Sequence, residues 1–271
     1  MKLAIIVINY NNNPGLINTL GSIQNQDSLS DLDYQVIIVD GGSTDGSLGT
    51  IAEFDELLDV QFSSEADKGI YDAMNKGLER LEASDCTHFM FLNSGDYFSC
   101  TESLSFIYDG FTEGEKIVFF KTKNFYENLF TYRPVSNSGK FFFGKVPSEY
   151  FPCHQSVICR KEILDGLRFD DELKISADTK FLNELFSRYK SHYIPFYLVN
   201  FELGGVSNYY HSYKHYINHA REKISIAKSE SLLFKTKTYI FGAVKLVFGR
   251  LLGKRRYFKI YLSLKNVGKN E

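Results

Sequence analysis

The sequence predicts an α/β fold, a parallel sheet with helices on both of its faces. Three observations predict it. Apolar runs alternate with segments of helical spacing through the first hundred residues. The early runs are continuously apolar, as in parallel strands buried on both sides. Each of these runs ends in a cluster of Asn, Asp, Ser and Gly, the composition of a turn. The chain has 271 residues and 44% hydrophobic content, enough for one large or two small domains with a real core.

The elements follow in order. Leu3–Ile8 reads as a buried strand, broken by Asn9 to Pro14. Gly15–Gln26 carries Leu16, Leu20 and Ile23 at helical spacing. Tyr34–Val39 is a second strand ending at Asp40, and Gly41–Gly46 is a loop in which Ser43 or Thr44 caps the next helix. A short strand near Val60–Phe62 precedes a helix over Ile70–Leu81, with Ile70, Met74 and Leu78 on one face. Phe89–Leu92 is a third apolar run, closed by the turn Asn93-Ser94-Gly95-Asp96. Lys116–Lys123 and Phe125–Arg133 read as a hairpin, 139–152 as a Phe- and Gly-rich loop, Ala177–Tyr189 as a helix and His192–Val199 as a strand. Gly204–Ser207 is a turn, and the chain from Tyr209 onward is mostly helical. No internal repeat, low-complexity segment or linker interrupts it.

In a parallel sheet the ends of the three early strands fall on one edge, where α/β folds bind ligands. That edge gathers Asn9-Tyr10-Asn11, Asp40 with Ser43 and Asp45, and Asn93 to Asp96. A carboxylate there can hold a hard cation, and the cation a diphosphate. The plainer reading of Asp40 and of the 93–96 tetrad is an ordinary polar turn. Missing motifs narrow the chemistry. No GxGxxG follows the first strand, no GxxxxGK[ST] exists, and no GxSxG elbow appears.

The net charge of −2 hides an asymmetry. Residues 231–270 contain ten Lys and Arg and no Asp or Glu, which leaves 21 basic against 32 acidic residues in 1–230. A basic tail on an acidic body suggests an anionic partner for the tail. Nucleic acid is not expected, because the body is acidic and RNA-binding motifs are missing. At 100° per residue, Ile240, Phe241, Val244, Val247, Phe248, Leu251 and Leu252 share one helix face, while Gly242, Lys245, Gly249, Arg250, Gly253 and Lys254 share the other. This fits either a helix packed on the domain or an interfacial helix on an anionic membrane. Cys86, Cys100, Cys153 and Cys159 form no metal-ligand spacing and are expected as thiols in a reducing compartment. With no signal-peptide or membrane-spanning run, the expected location is the cytoplasm, with possible peripheral attachment to the inner face of the cell membrane.

Residues 1 to about 210 resemble the bacterial family 2 glycosyltransferases of GT-A fold, in particular the short enzymes of capsule, O-antigen and exopolysaccharide biosynthesis. The resemblance is carried by Ile8-Asn9-Tyr10-Asn11, VDGGSTDGS at Val39–Ser47, SEADKGIYDAMNKGL at Ser64–Leu78, FLNSGD at Phe91–Asp96, CHQS at Cys153–Ser156, ISAD at Ile175–Asp178 and GGVS at Gly204–Ser207. It implies a Rossmann-like nucleotide-binding half, a mixed central sheet with helices on both faces, and a helical C-terminal extension. The implied division is 1–208 for the GT-A domain, with 1–100 binding the nucleotide sugar and 101–208 the acceptor, then 209–271 as the basic helical region.

The implied activity is inverting, metal-dependent transfer of a hexosyl or N-acetylhexosaminyl group. The donor would be a nucleoside diphosphate sugar, UDP-linked, and the acceptor a polyprenyl-diphosphate-linked or growing glycan. The cofactor would be Mn2+ or Mg2+. By position, Asn9 and Asn11 lie by the base, Asp40 with Ser43 recognises uracil, and Asp67, Lys68, Gly69 and Asn75 line the donor site. Asn93, Ser94 and Gly95 form the metal turn with Asp96 as the ligand. His154, Gln155 and Gly205 lie near donor and acceptor, Asp178 is the catalytic base, and His211 lies near the diphosphate as a minor metal candidate. Asp178 also suits a simple helix N-terminal acid. Asn93 and Gly95 stand where the wider family has acids, so Asp96 is expected to be the sole carboxylate ligand; Gly41 likewise replaces a frequent aspartate. The alternatives are a transferase of another activated group, such as a sugar phosphate, and a nucleotide-sugar-binding or peripheral membrane protein without catalysis.

Overall fold

The computed structural model describes residues 1–27, 31–111, 114–132, 152–205, 208–227 and 232–266. The expected loop at 139–152 lies almost wholly outside them, as do Arg133 and the last two residues of the Gly204–Ser207 turn.

The first hundred residues build a parallel unit. β1 (Lys2–Asn9), α1 (Asn13–Gln24), β2 (Asp33–Asp40), α2 (Ser47–Asp55), β3 (Val60–Ser64), α3 (Ile70–Ala83) and β4 (His88–Phe91) follow one another. β1 pairs in parallel with both β2 and β4, and β2 with β3. β5 (Tyr97–Phe98), α4 (Ser103–Gly110), the hairpin of β6 (Ile117–Tyr126) and β7 (Leu129–Tyr132), β8 (Val157–Arg160), α5 (Ala177–Arg188) and β9 (Ser191–Glu202) complete one nine-stranded sheet in the order β3-β2-β1-β4-β8-β6-β9-β5, with β7 on β6. β8 runs antiparallel to β4 and β6, and β9 parallel to β6, so the sheet is mixed beyond β4.

The continuous apolar character of β1 has a direct cause. Ala4, Ile6 and Ile8 face a layer containing Met74 and Leu78 of α3 and Phe181 and Leu185 of α5. Leu3, Ile5 and Val7 face the other layer, with Leu16, Leu20 and Ile23 of α1, Ile51 of α2 and Ile107 of α4. Both faces are covered, so no polar alternation survives. Helix α3 approaches β1 through Gly77, where an added Cβ would lie 2.6 Å from Ile6 Cγ2. Gly77→Val is therefore expected to destabilise the protein by about 1–3 kcal/mol through overpacking, read as a lower denaturant midpoint at unchanged slope.

Several boundaries differ from expectation for identifiable reasons. Pro14 does not break the chain but enters α1 in its first turn, where its missing N–H costs nothing. Neither Ser43 nor Thr44 caps α2; Gly46 holds the N-cap position and Asp45 accepts from Ser47 N and Oγ. Ile70 is 44% exposed, whereas Met74 and Leu78 are buried. The hairpin turns at Glu127, a non-glycine residue with φ 53, and not at Asn124. Helix α6 (Tyr213–Ala227) starts after His211, so His211 lies outside the helix that carries His215 and His219.

The last helix, α7 (Leu232–Asn266), is interrupted at Gly253 (φ 71, ψ 158). Its second arm packs Tyr257, Phe258 and Leu262 against Tyr126, Phe201 and Leu203 at the end of the sheet. Its first arm packs on α6 through the glycine face. A Cβ at Gly242 would meet the Tyr216 ring at 2.4 Å, and one at Gly249 the Tyr209 ring at 3.0 Å. The apolar face, expected to be the packed one in the domain-bound reading, is the outer one: Ile240, Phe241, Val244, Val247, Phe248 and Leu251 are all exposed, and of the residues assigned to it Leu252 alone is half-buried, against the second arm's cluster. No helix among the described residues is long and apolar enough to cross a membrane.

Candidate active site

The carboxyl ends of β1, β2 and β4 lie side by side, as the strand register requires (Asn9 opposite Asp40). At the β2 end Asp40 is fully buried. Its carboxylate accepts from Asn9 Nδ2 (2.8 Å), Ser43 Oγ (2.6 Å), Ser64 Oγ (2.7 Å), Ser43 N (2.8 Å) and Gly42 N (3.1 Å). Burial works against the charge, but the bonds from Ser43, Ser64 and Asn9 outweigh it and hold the carboxyl below its ordinary range. With five donors Asp40 is saturated, so in this geometry it fixes the loop. Asn9 differs. Its Nδ2 is used, but Oδ1 is buried without a partner.

Ser43 Oγ also accepts from Asn11 N (2.8 Å), and Asn11 Oδ1 accepts from Thr44 N (2.9 Å). The β1 and β2 loops are thereby stitched together, with Asn11 at φ 46. Tyr10 stands beside them with its ring 64% exposed. Asp67 explains Gly41: a Cβ there would lie 2.4 Å from Asp67 Oδ2. The Asp67 carboxylate fills the space in which a side chain on residue 41 would start. Asp67 Oδ1 also accepts from Gly69 N (2.8 Å), which turns the chain into α3, while Lys68 is exposed. Asn75 is not brought to the site. Its amide is used on both sides of Phe169, donating to its carbonyl (2.9 Å) and accepting from its N–H (2.8 Å).

The 93–96 turn is pinned from α1. Thr19 Oγ1 donates to Asp96 O (2.7 Å) and accepts from Gly95 N (3.0 Å). Asn12 Nδ2 donates to Ser94 O (3.1 Å), and Ser94 Oγ returns a bond to Asn12 O (3.1 Å). The Asp96 carboxylate is buried and accepts from Gln155 Nε2 (2.5 Å) and Glu202 N (2.8 Å). Burial pushes Asp96 well above the carboxylate range, and the Glu202 charge adds to this.

Glu202, at the end of β9, is a residue that sequence reasoning missed. A Cβ on Gly95 would meet its Oε2 at 2.7 Å, so only glycine leaves room for this carboxylate beside the turn. Burial raises the Glu202 carboxyl, and Lys254 of α7 opposes that rise. The Lys254 side chain lies over Gly204, where a Cβ would meet its Nζ at 2.8 Å. The Asp96 and Glu202 carboxylates and the buried, unpartnered Asn93 Oδ1 are oxygen donors of the kind a hard divalent cation takes. The fit is one of donor chemistry only, because no group of three His, Cys, Asp or Glu among the described residues could hold a metal.

The second cluster surrounds Asp178 in the first turn of α5. Asp178 Oδ1 accepts from Tyr71 Oη (3.3 Å) and Thr179 N (2.7 Å), and Oδ2 lies 3.3 Å from His154 Nδ1. On its far side His154 Nε2 meets Asn93 Nδ2 at 3.4 Å. The Asn93 amide nitrogen can only donate, so the consistent tautomer has Nε2 accepting and Nδ1–H directed at Asp178. One imidazole thus links the 93–96 turn to the Asp178 carboxylate. Burial, then the Asp178 charge, hold the Tyr71 phenol well above its usual range, so it stays a hydroxyl donor. Tyr71 and Phe181 both stack on Phe169 (centroids 6.0 and 4.2 Å), the residue braced by Asn75.

The approach to α5 is held by α6. Glu222 accepts from the backbone N–H groups of Lys174, Ile175 and Ser176 at 2.9–3.1 Å, which fixes the segment that leads into α5. No local sequence signal marks Glu222, because its partners lie 46 to 48 residues away. His211 is exposed and stacks on His215 (5.9 Å). His219 is buried against Tyr210 Oη, and burial holds it neutral. Gly205 is exposed, with open space where a Cβ would be. None of the four cysteines is in a disulfide.

The glycosyl transferase family 2 model matches residues 4–166. Curated proteins yield no match. Among solved structures, S. aureus TarS 1–349 in complex with UDP-GlcNAc is similar at TM-score 0.63 and 19% identity, over 88% of this chain and 70% of that one. The mannosyltransferase PcManGT from Pyrobaculum calidifontis, in complex with GDP-Man and Mn2+, is similar at TM-score 0.58 and 15% identity, over 98% and 79%. At such identities the likeness is one of fold, and it matches the GT-A architecture implied by the sequence motifs. With well over half of its length matched by the family model, the chain belongs to glycosyl transferase family 2.

Proposed function

We propose that this protein is an inverting glycosyltransferase. It moves a hexosyl or N-acetylhexosaminyl group from a UDP-linked sugar to a hydroxyl of a lipid-linked or growing glycan in surface polysaccharide biosynthesis. The observation that carries the reading is the single connection Asn93–His154–Asp178, which sets a carboxylate base beside the turn suited to a diphosphate.

The residues divide the work. Tyr10 offers an exposed ring for stacking on the base, and Asn9 Oδ1 offers a buried acceptor for a uracil N–H. Asp40 and Ser43 hold those groups in place, and Asp67, Lys68 and Gly69 flank the sugar nucleotide. Asp96, with Glu202 and Asn93 Oδ1, would hold Mn2+ or Mg2+. When bound, the cation acts as a Lewis acid against the charge developing on the leaving diphosphate. Asp178 accepts the proton of the attacking hydroxyl, too weakly acidic to ionise at neutral pH. Tyr71 and His154 orient that carboxylate, and Gln155 holds Asp96. Residues 1–100 take the donor and 101–208 the acceptor. In the similar structures TarS was captured with UDP-GlcNAc and PcManGT with GDP-Man and Mn2+, which supports a nucleotide-sugar donor.

A thermal-shift and hydrolysis screen of nucleotide sugars with Mn2+ tests the reading. UDP and at least one UDP-sugar are expected to raise Tm, and that sugar to be hydrolysed slowly. No response to any nucleoside diphosphate would overturn it.

A further inference from the structure

We infer that the first arm of α7 docks the protein on an anionic lipid surface, with its apolar face toward the acyl chains. The placement of the helix carries this. Leu233, Ile240, Phe241, Val244, Val247, Phe248 and Leu251 fall within an arc of about 120° at 100° per residue. They are 46–78% exposed. An exposed apolar stripe of this length marks a surface that meets something else.

Among the described residues nothing covers it, because the opposite face is the one in contact. Gly242 lies on the Tyr216 ring and Gly249 on the Tyr209 ring. Tyr216 Oη donates to Tyr239 O (2.8 Å) and Tyr209 Oη to Gly249 O (2.9 Å). These contacts hold the arm on α6 with the stripe outward. The glycines that lower helix propensity are the residues that permit the close approach.

Charge decides the occupant. The arm and its continuation carry Lys235, Lys237, Lys245, Arg250, Lys254, Arg255, Arg256 and Lys259 without an acid. Lys237 is exposed within the same arc, near the start of the arm, where a long side chain carries its charge outward to the headgroups, and Arg250 is exposed beside the stripe. Among the described residues Arg255 and Lys259 pair with Glu127 of the β6–β7 turn. Apolar residues flanked by cations match an anionic interface, where burial of apolar area and attraction to headgroups add. A second copy would bring two cationic helices together, which like charges oppose. A nucleic acid would leave the apolar stripe in water. The acidic remainder of the chain is repelled by the same surface, so only this side can approach it.

The inference does not depend on the transfer chemistry, because binding is read without donor or acceptor. The intact protein is mixed at low salt with vesicles of phosphatidylglycerol and phosphatidylcholine, or of phosphatidylcholine alone, and sedimented. Strong retention on the anionic vesicles is expected, with at least a tenfold loss for Phe241→Glu/Leu251→Glu. Deleting the arm is the poorer test, since the second arm covers the sheet. Should the double variant misfold, Lys237→Gln/Arg250→Gln supplies the comparison and is expected to weaken binding and its salt dependence. Absence of the intact protein from anionic vesicles would overturn the inference. So would retention of the folded double variant, or a concentration-dependent dimer that Leu251→Glu disrupts.

Discussion

Asp178→Asn is expected to lower kcat by about 10²–10⁴-fold, the usual scale of a lost general base, and to leave UDP affinity unchanged. Asn keeps the size of the carboxyl and its Oδ1 still accepts from Thr179 N and Tyr71 Oη. What it loses is the ability to take a proton. Its Nδ2 would also face His154 Nδ1, where the native contact is 3.3 Å, so the imidazole is expected to lose its orientation. Because the residues proposed to hold the nucleotide sit on β1, β2 and the 93–96 turn, titration calorimetry with UDP and Mn2+ should give a dissociation constant like that of the native protein. Turnover at the native rate would remove Asp178 from the mechanism. A parallel loss of UDP binding would make it a residue of the donor site instead.

Asp96→Asn is expected to separate stability from function. Manganese-dependent UDP affinity should fall more than tenfold, while Tm stays within a few degrees of the native value. The reason lies in its pKa direction. A carboxyl raised in the folded state binds its proton more tightly there than in the unfolded chain. Stability is then greatest below the unfolded carboxylate pKa and declines as pH rises to the folded one. As pH rises through the folded pKa, the native protein takes on the cost of ionising Asp96 in a buried setting beside Glu202. Asn removes that cost and gives up the Gln155 bond, worth about 1 kcal/mol. Melting curves at acid and neutral pH check the sign: acidification toward the raised pKa should favour the native protein relative to the variant. A large drop in Tm with intact Mn2+-dependent binding would mark Asp96 as purely structural.

The parallel unit was legible because its signals are local. A strand buried on both faces is a continuous apolar run, and its end is a polar cluster. The two acids at the centre of the proposed chemistry, Asp96 and Asp178, were legible through motif and position. The partners that set their properties were not. Glu202 reaches Gly95 from a strand more than a hundred residues away, and Glu222 reaches the start of α5 from another helix. Strand β5, with two residues, and helix α4, with eight, are too short to carry a period. Only with the last strand extended past Val199 to its observed end does the strand-end logic that selected Asp40 select Glu202 as well. For α7 periodicity correctly separated two faces but could not say which one the protein covers. The glycine face wins because Tyr209 and Tyr216 present flat rings that only a side-chain-free helix can approach.

The single hydroxyl of Thr19 joins α1 to both Gly95 and Asp96. The same helix follows the loop whose Asn11 and Asn12 bond to the β2 turn and to Ser94. In the proposed reading the grips on nucleotide and diphosphate are consequently parts of one hydrogen-bonded clamp. Such a clamp can be inherited intact while the later strands and loops drift, so relatives of this protein could exchange acceptors without redesigning how they hold a donor.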